Sequence, residues 1–353
     1  MPETMAHAEL RRARGQRPPP ADQRSRSDMS VEHAASAASV QPVEGTTPSA
    51  ERAARPVAHA QPATHAQPVG RTAQRRRYLM CRPEHFTVSY RINPWMHPAT
   101  PTDTARALAQ WQALHDAYVR LGHAVELIDP VPGLPDMVYT ANGGFVVDGR
   151  ALGVRFRVDE RRGEERPFME WFAAHGFEVI EPRTVQEGEG DFLLAGDVIL
   201  AGTGFRSAPD SHREVADVFG REVVSLTLVD PRFYHLDTAV AVLDPVPVPD
   251  PAAGPHGVPH ANIAYLPSAF DDASQRVLAE RYPDAIRVSP ADGAVFGLNA
   301  ASDGAHVFVP PRATGFAARL RERGYTPVPV DLSELLRGGG GIKCCTLELR
   351  ERS

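Results

Sequence analysis

From Tyr78 onward one pattern returns five times: a short β-rich run, a helical stretch, a turn and a second β-rich run. Such an alternation commits the chain to an α/β fold, because each helix must lay its apolar stripe on strands. Residues 105–121 predict the clearest helix, with Leu108, Trp111, Leu114, Tyr118 and Leu121 spaced by 3, 3, 4 and 3. Further helices are predicted over 165–175, 212–219, 273–281 and 313–323. Gly122, Gly176, Gly220 and Gly324 stop four of the five, as suits the left-handed position after a helix, and Pro283 closes the other. Strands are predicted before the helices at 78–81, 151–155, 198–201, 263–266 and 306–309. The strands after them fall at 124–128, 177–180, 222–226, 285–288 and 325–330. Five units of roughly 50 residues point to a propeller-like or solenoid arrangement, and with no obvious end caps they favour closure into a ring. An ordinary doubly wound α/β sheet is the architecture that competes with it.

The first 75 residues stand apart. They contain no Phe, Tyr, Trp or Ile and are crowded with Ala, Pro, Gln, Ser and Arg. Such a segment cannot bury enough apolar surface to offset an ordering cost of about 1–2 kcal/mol per residue, so 1–75 is expected to be a disordered tail and 76–353 the folded domain. Residues 1–77 carry twelve arginines against seven acidic residues; the whole chain is −6, so 78–353 carry −11. An acidic body of this kind repels phosphate and argues against nucleic acid as a partner. No apolar run is long enough to span a membrane and no signal peptide opens the chain, which points to a cytoplasmic protein. The 3 cysteines exclude a disulfide scaffold. The oligomeric state is not legible.

Polar groups recur in phase with the repeat. Asn142 lies 20 residues past Gly122, Glu187 lies 11 past Gly176, His235 lies 15 past Gly220, and Cys344 lies 20 past Gly324. In a ring, equivalent loops converge on one end of the axis, bringing a carboxylate, an imidazole and a thiol to one cavity. That set can perform covalent catalysis on a cationic substrate. Cys344 follows four consecutive glycines and Lys343, the only lysine in the chain; their N–H groups and its charge would lower the thiol pKa. A buried apolar thiol is the alternative for Cys344 and the expectation for Cys81. Cys345 would point to the opposite side of a strand. His235 and Asp237, two apart in an extended segment, should share a face. Glu187, Glu189 and Asp191 interleave with glycines and should repel one another unless a cation or N–H donors intervene, an organic cation being favoured over calcium or zinc. The Gly202-Thr203-Gly204 stretch only faintly matches a dinucleotide loop.

The chain from about Arg77 to Leu349 resembles the guanidino-group-modifying enzymes: dimethylarginine dimethylaminohydrolases, arginine deiminases and amidinotransferases. The resemblance rests on GGGGIKC ending at Cys344, FYHLDT around His235, EGxGD opening at Glu187, INPWM at 92–96, TANxG at 140–144, GFRSxxDSH at 204–212 and KCxTL at 343–347. The arginine dihydrolase-like branch is the nearest in pattern. The resemblance implies the five-bladed, pseudo-symmetric α/β (pentein) propeller, Cys344 as nucleophile, His235 as acid–base and Glu187 as the acid. With it go Glu187 and Asp237 holding the guanidinium by charge-assisted hydrogen bonds, Asn142 beside them, and Asn93 with Arg155 at the substrate's amino-acid end. Many deiminases and dimethylaminohydrolases carry aspartate where this chain has Asn142, whereas the dihydrolase-like branch carries asparagine.

The implied reaction is hydrolysis of a guanidino C–N bond of arginine or a methylated arginine through a covalent thiouronium on Cys344. No metal or organic cofactor is expected, because the substrate's own positive charge activates the carbon. A deiminase or dihydrolase, an amidinotransferase, a guanidine-binding protein without catalysis, and a nucleotide-dependent enzyme using the Gly202 loop are the other readings.

Overall fold

The first strand of the body, β1 (Arg77–Cys81), pairs on one side with β2 (Ala124–Ile128) in parallel and on the other with β15 (Leu347–Glu348), antiparallel. Tyr78 therefore faces Val125 and Glu348 at once, so one sheet is made from both ends of the body. The structure is a computed structural model and describes residues 71–244 and 261–351.

Four further three-stranded sheets repeat this arrangement. They comprise β3 (Phe145–Val147), β4 (Arg150–Leu152) and β5 (Glu178–Ile180); then β6 (Phe192–Ala195), β7 (Val198–Thr203) and β8 (Glu222–Thr227). The fourth is β9 (Val240–Val242), β10 (Ile263–Tyr265) and β11 (Ile286–Arg287); the fifth is β12 (Ala301–Ser302), β13 (His306–Val309) and β14 (Thr326–Pro329). In each, the middle strand is antiparallel to one neighbour and parallel to the other. The parallel step is bridged by a helix: α1 (Thr104–Arg120), α2 (Glu165–Ala174), α3 (Ser211–Phe219), α4 (Asp272–Arg281) or α6 (Thr314–Glu322). A single short turn of helix, α5 (Pro290–Gly293), precedes β12.

The strand–helix–strand units are thus where the sequence places them, within a few residues, and each gains an antiparallel strand the periodicity did not reveal. Those strands span only two to four residues. That is too short for a period of two to register.

The helices follow their apolar stripes. Asp103 caps α1 by accepting from the Arg106 N–H at 3.0 Å, and Ala107, Trp111, Leu114, Ala117 and Tyr118 are buried on one face. Each large side chain withdrawn from water there contributes about 1.5–3 kcal/mol. Leu121, expected to complete the stripe, instead lies beyond the helix and is exposed, because Gly122 at φ 85° turns the chain away. Among the described residues no helix is long and apolar enough to cross a membrane.

The expected tail boundary moves. Arg71 donates to both carboxylate oxygens of Asp244 at 2.7 and 2.9 Å, its Nε donates to the Arg323 carbonyl at 2.9 Å, and its guanidinium lies 3.5 Å from the Tyr325 ring centroid. The Gln74 N–H donates to the Asp303 carbonyl at 2.8 Å. Residues 71–75 therefore pack on the body, anchored by charge and stacking rather than by the apolar side chains they lack. The disorder expected of 1–70 lies outside the described residues.

Candidate active site

In every unit the loop that leads into the antiparallel strand carries a buried polar residue. Asn142 lies in a tight turn before β3, Glu187 opens one before β6, and His235 opens one before β9. Cys344 lies in the turn before β15. Glycine lets these loops close on one another: a Cβ on Gly190 would overlap the Asn142 amide and sit 3.2 Å from the His235 ring.

Glu187 is fully buried, and its Oε2 accepts from His235 Nε2 at 2.8 Å and from Arg206 Nη1 at 3.0 Å. Burial alone would raise its carboxyl, but Arg206 and then His235 overcome this and hold it well below the usual carboxylate range. An ionised carboxylate only accepts, so Nε2 carries the proton and the ring orientation is set. The other ring nitrogen, Nδ1, is buried without a partner. His235 and Asp237 both reach the site, though not as alternate residues of a strand: His235 precedes the 3₁₀ turn Leu236–Thr238 that contains Asp237.

Asp237 is also fully buried. Its Oδ2 accepts from the Cys344 thiol at 3.2 Å, while its Oδ1 has no partner. Burial, partly offset by His235 and Lys343, pushes its carboxyl up to about 6. Burial and the adjacent Asp237 raise the Cys344 thiol well above its ordinary value. The expected help from Lys343 is absent: its Nζ is directed to Glu189 at 2.6 Å and the Thr346 carbonyl at 2.9 Å. The glycine run does supply one donor, the Gly341 N–H, which lowers the thiol as expected, and it also serves packing, for a Cβ on Gly340 would overlap the Tyr139 ring. The segment around Cys344 is a turn and not a strand, and Cys345 is buried in the core, as is Cys81.

The three acids of the Glu187–Asp191 stretch do not share a cation. Glu189 is ion-paired with Lys343 and Arg350 and accepts from the Glu348 N–H at 2.9 Å. Asp191 accepts from Ser207 Oγ at 2.6 Å and the Leu236 N–H at 3.1 Å. Each acid is neutralised or hydrogen-bonded on its own, so the repulsion that suggested a shared ligand does not arise.

Asn142 Oδ1 accepts from Arg161 Nη1 at 2.7 Å, and its amide donates to the Glu187 carbonyl at 3.4 Å. Arg161 forks onto Glu164 at 3.0 and 2.8 Å and reaches the Asp136 carbonyl at 3.2 Å. Burial raises the Glu164 carboxyl to about 7 although Arg161 opposes it. Asp136 Oδ2 accepts from the Tyr90 hydroxyl at 2.8 Å, and Oδ1 is buried and unpartnered. Asn93 joins the rim, donating to the Gly338 carbonyl at 3.0 Å and to the Tyr234 hydroxyl at 3.4 Å.

Arg155 is not among them. Its side chain is exposed and donates to the Arg183 carbonyl at 3.2 Å. Only its backbone meets the site's edge, bridging to Gln186. The buried cations beside the site are instead Arg161 and Arg206, which sequence reasoning passed over. Arg206 stands inside the GFRSxxDSH motif at 204–212, and Arg161 sits in a run that reads as solvated. Asn299 was missed as well: its Nδ2 lies 3.0 Å from Cys344 Sγ. The Gly202–Gly204 stretch ends β7 and opens no helix, since α3 begins only at Ser211. Among the described residues no group of three or more His, Cys, Asp or Glu side chains is arranged to hold a metal ion.

No family model matches the chain. It is 53% identical over 279 residues to an N(G),N(G)-dimethylarginine dimethylaminohydrolase of Mycobacterium tuberculosis, covering 79% of this chain and 87% of that protein. It is 38% identical to the bifunctional arginine dihydrolase/ornithine cyclodeaminase ArgZ of Synechocystis, matching 78% of this chain but 38% of that protein. The crystal structure of the ArgZ N-terminal domain bound to substrate superposes with a TM-score of 0.71 at 37% identity, over 78% of this chain and 98% of that domain. A dimethylarginine dimethylaminohydrolase carrying a pyridine adduct shares the fold at 19% identity and a TM-score of 0.60, over 78% of this chain and 100% of that one. With 53% identity over 87% of the mycobacterial relative, and with Cys344, His235 and Glu187 in the motifs they were read from, the chain belongs to the guanidino-group-modifying family of dimethylarginine dimethylaminohydrolases, hydrolases of guanidino C–N bonds.

Proposed function

We propose that this enzyme hydrolyses the guanidino group of an N(G)-methylated arginine, releasing the methylated amine and citrulline, with Cys344 as nucleophile. One observation carries the reading: Asp237 accepts from the Cys344 thiol through Oδ2, while its Oδ1 and the Nδ1 of His235, two residues before it, are buried and unpartnered. Buried polar atoms are nearly always satisfied, so such orphans mark where a ligand completes the set. The 53% identity to the mycobacterial dimethylaminohydrolase supports the choice of substrate.

A guanidinium has a pKa above about 12 and arrives as a cation. Asp237 Oδ1 receives it, a charge-assisted contact of about 1.5–3 kcal/mol. The Cys344 thiol passes its proton to His235 Nδ1, and the resulting thiolate attacks the central carbon. His235 protonates the departing amine as the C–N bond breaks, leaving a thiouronium on sulfur. Water then attacks the same carbon, gives its proton to His235, and the C–S bond breaks to return the thiolate. Acid–base help of about 10²–10⁴-fold is the usual range for such a histidine. Glu187 acts through His235, because Arg206 and His235 already occupy its Oε2. Asn93 and Asn142 line the site with Arg161 and Arg206, and these two cations suit the carboxylate end of an amino acid better than Arg155 does.

The fold reading that accompanies this is a closed five-bladed propeller, the β1–β15 pair being the closing contact, with residues 76–353 as the catalytic domain. A free-thiol mechanism suits a reducing cytoplasm.

A second reading, an arginine dihydrolase, is favoured by Asn142, whose neutral amide stands where many dimethylaminohydrolases carry an acid, and by the likeness to the ArgZ domain. Incubation with a panel of guanidines, with mass spectrometry of products and of the Cys344 adduct, tests both. Citrulline with dimethylamine supports the first reading, and ornithine with ammonia and CO₂ the second. Citrulline with ammonia from arginine alone indicates a deiminase, and an amidino group passed to an added amine indicates a transferase. Cys344→Ala abolishes turnover while retaining binding, and Cys345→Ala changes little. Binding without any product would leave only a guanidine-binding protein.

A further inference from the structure

We infer that Asn299 is a catalytic residue whose side-chain amide donates to the Cys344 sulfur and stabilises the thiolate formed when it reacts. The inference rests on Cys344 being the nucleophile, as proposed above.

The register of the repeat leads to it. Four loops place Asn142, Glu187, His235 and Cys344 just ahead of β3, β6, β9 and β15. The corresponding place ahead of β12 is filled by Asn299, which is 1% exposed. The chain reaches it through Phe296, a non-glycine residue at φ 62° whose ring packs edge-on against Trp95 at 4.9 Å. A bulky residue holds that conformation only where its surroundings over-determine it, and such positions gather at functional sites.

The direction of the amide follows from its partners. Oδ1 accepts from the Cys344 N–H at 3.1 Å, and Nδ2 donates to the Asp237 carbonyl at 3.2 Å and to Cys344 Sγ at 3.0 Å. A backbone N–H can only donate and a backbone carbonyl can only accept, so the nitrogen necessarily faces the sulfur. One side chain thereby ties the nucleophile's backbone and sulfur to the turn that carries Asp237.

An N–H directed at sulfur favours the thiolate over the thiol. The Gly341 N–H pulls the same way, while burial, Asp237 and Cys345 pull against it. The nearby Tyr139 and Tyr234 hydroxyls donate instead to the Leu335 and Gly339 carbonyls, and His235 stands at the start of the Asp237 turn. Lys343 is turned to Glu189. Neutral donors are therefore what the fold gives to the sulfur directly, and the substrate cation beside Asp237 supplies the charge.

The test is the pH dependence of Cys344 alkylation by iodoacetamide in the full-length protein. Asn299→Ala should raise the apparent thiol pKa by about one unit, slowing alkylation near neutral pH about tenfold. Asn299→Asp keeps the shape and turns a donor into an acceptor, so it should shift the profile further. Both should lower kcat more than they raise KM. A folded variant of either kind whose alkylation profile coincides with that of the wild type overturns the inference. Should neither variant fold, the wild type decides: the Asn299 side-chain amide resonances must titrate with the same midpoint as alkylation, and resonances indifferent to it overturn the inference. Turnover surviving in Cys344→Ala would instead remove the nucleophile, so the two failures are distinguishable.

Discussion

His235 presents Nε2 to Glu187 at 2.8 Å and leaves Nδ1 buried without a partner. A histidine anchored through one nitrogen and idle at the other has a fixed tautomer and one open site for proton exchange. The same carboxylate also neutralises Arg206, so catalysis and stability meet at Glu187.

Glu187→Gln keeps the shape and removes the charge. Turnover should fall about 10²–10⁴-fold, the span of acid–base assistance. Stability should fall by about 3–5 kcal/mol, because Arg206 is left buried without a counter-charge. The depressed Glu187 carboxyl contributes stability that is present above its unfolded pKa of about 4.3 and lost as the pH drops below it. Steady-state kinetics and urea melts at two pH values check both effects; wild-type turnover in this variant would detach His235 from the chemistry.

Asp237 works in the opposite sense. Burial pushes its carboxyl up to about 6, above the unfolded value of about 3.9, so the folded state binds more protons between the two. Through this group stability declines as the pH rises from about 4 to about 6. Glu164, raised by burial to about 7, extends the decline. Asp237→Asn should therefore stabilise the protein at pH 8 by about 2–3 kcal/mol while destroying most activity. In the wild type, kcat/KM should show an acid limb near pH 6, where Asp237 gains the charge that grips the cation. A melting temperature at pH 8 that is unchanged or lower in the variant counts against this assignment.

Gly340→Ala drives a methyl into the Tyr139 ring, which the Tyr139 hydroxyl's 2.6 Å bond to the Leu335 carbonyl holds in place. Overpacking of this kind costs about 1–3 kcal/mol. Because the same Cβ would press on Cys344 Cβ at 3.1 Å, kcat should fall more steeply than stability. Normal kinetics in a folded variant would show that the glycine run has slack.

Arg155→Ala should leave KM within about threefold and stability within about 0.5 kcal/mol, as for other exposed positions. A tenfold rise in KM would restore Arg155 to the substrate's carboxylate end, where the resemblance put it.

The strand–helix–strand units were legible because their helices run to 9–17 residues with apolar stripes and, in four of five, a glycine stop. The antiparallel strands were not, being too short to carry a period. Among the proposed site residues, Cys344, His235, Glu187 and Asp237 stood out because rare side chains lay in recognisable motifs in phase with the repeat, and the fold joins His235 to Glu187 and Cys344 to Asp237. The course of the Arg155 side chain was not legible, because a backbone that bridges to Gln186 at the site's edge does not fix where an exposed side chain goes. Asn299 carried a signal that was overlooked: four loops of five had their polar residue, and the fifth was left empty.

What the sequence alone determined is the local content: which segments are helices and strands, which side chains can act as nucleophile, base and anion, and the family they belong to. Tertiary structure decided how the charges pair. Lys343 beside Cys344 in sequence serves Glu189, and the glycine-spaced acids part to separate partners. Asparagine amides, not a neighbouring cation, meet the thiol and Arg161. The reason is physical: spacing along a chain governs backbone periodicity, whereas a charge in a buried site settles on whichever partner from distant segments satisfies it at least cost of desolvation.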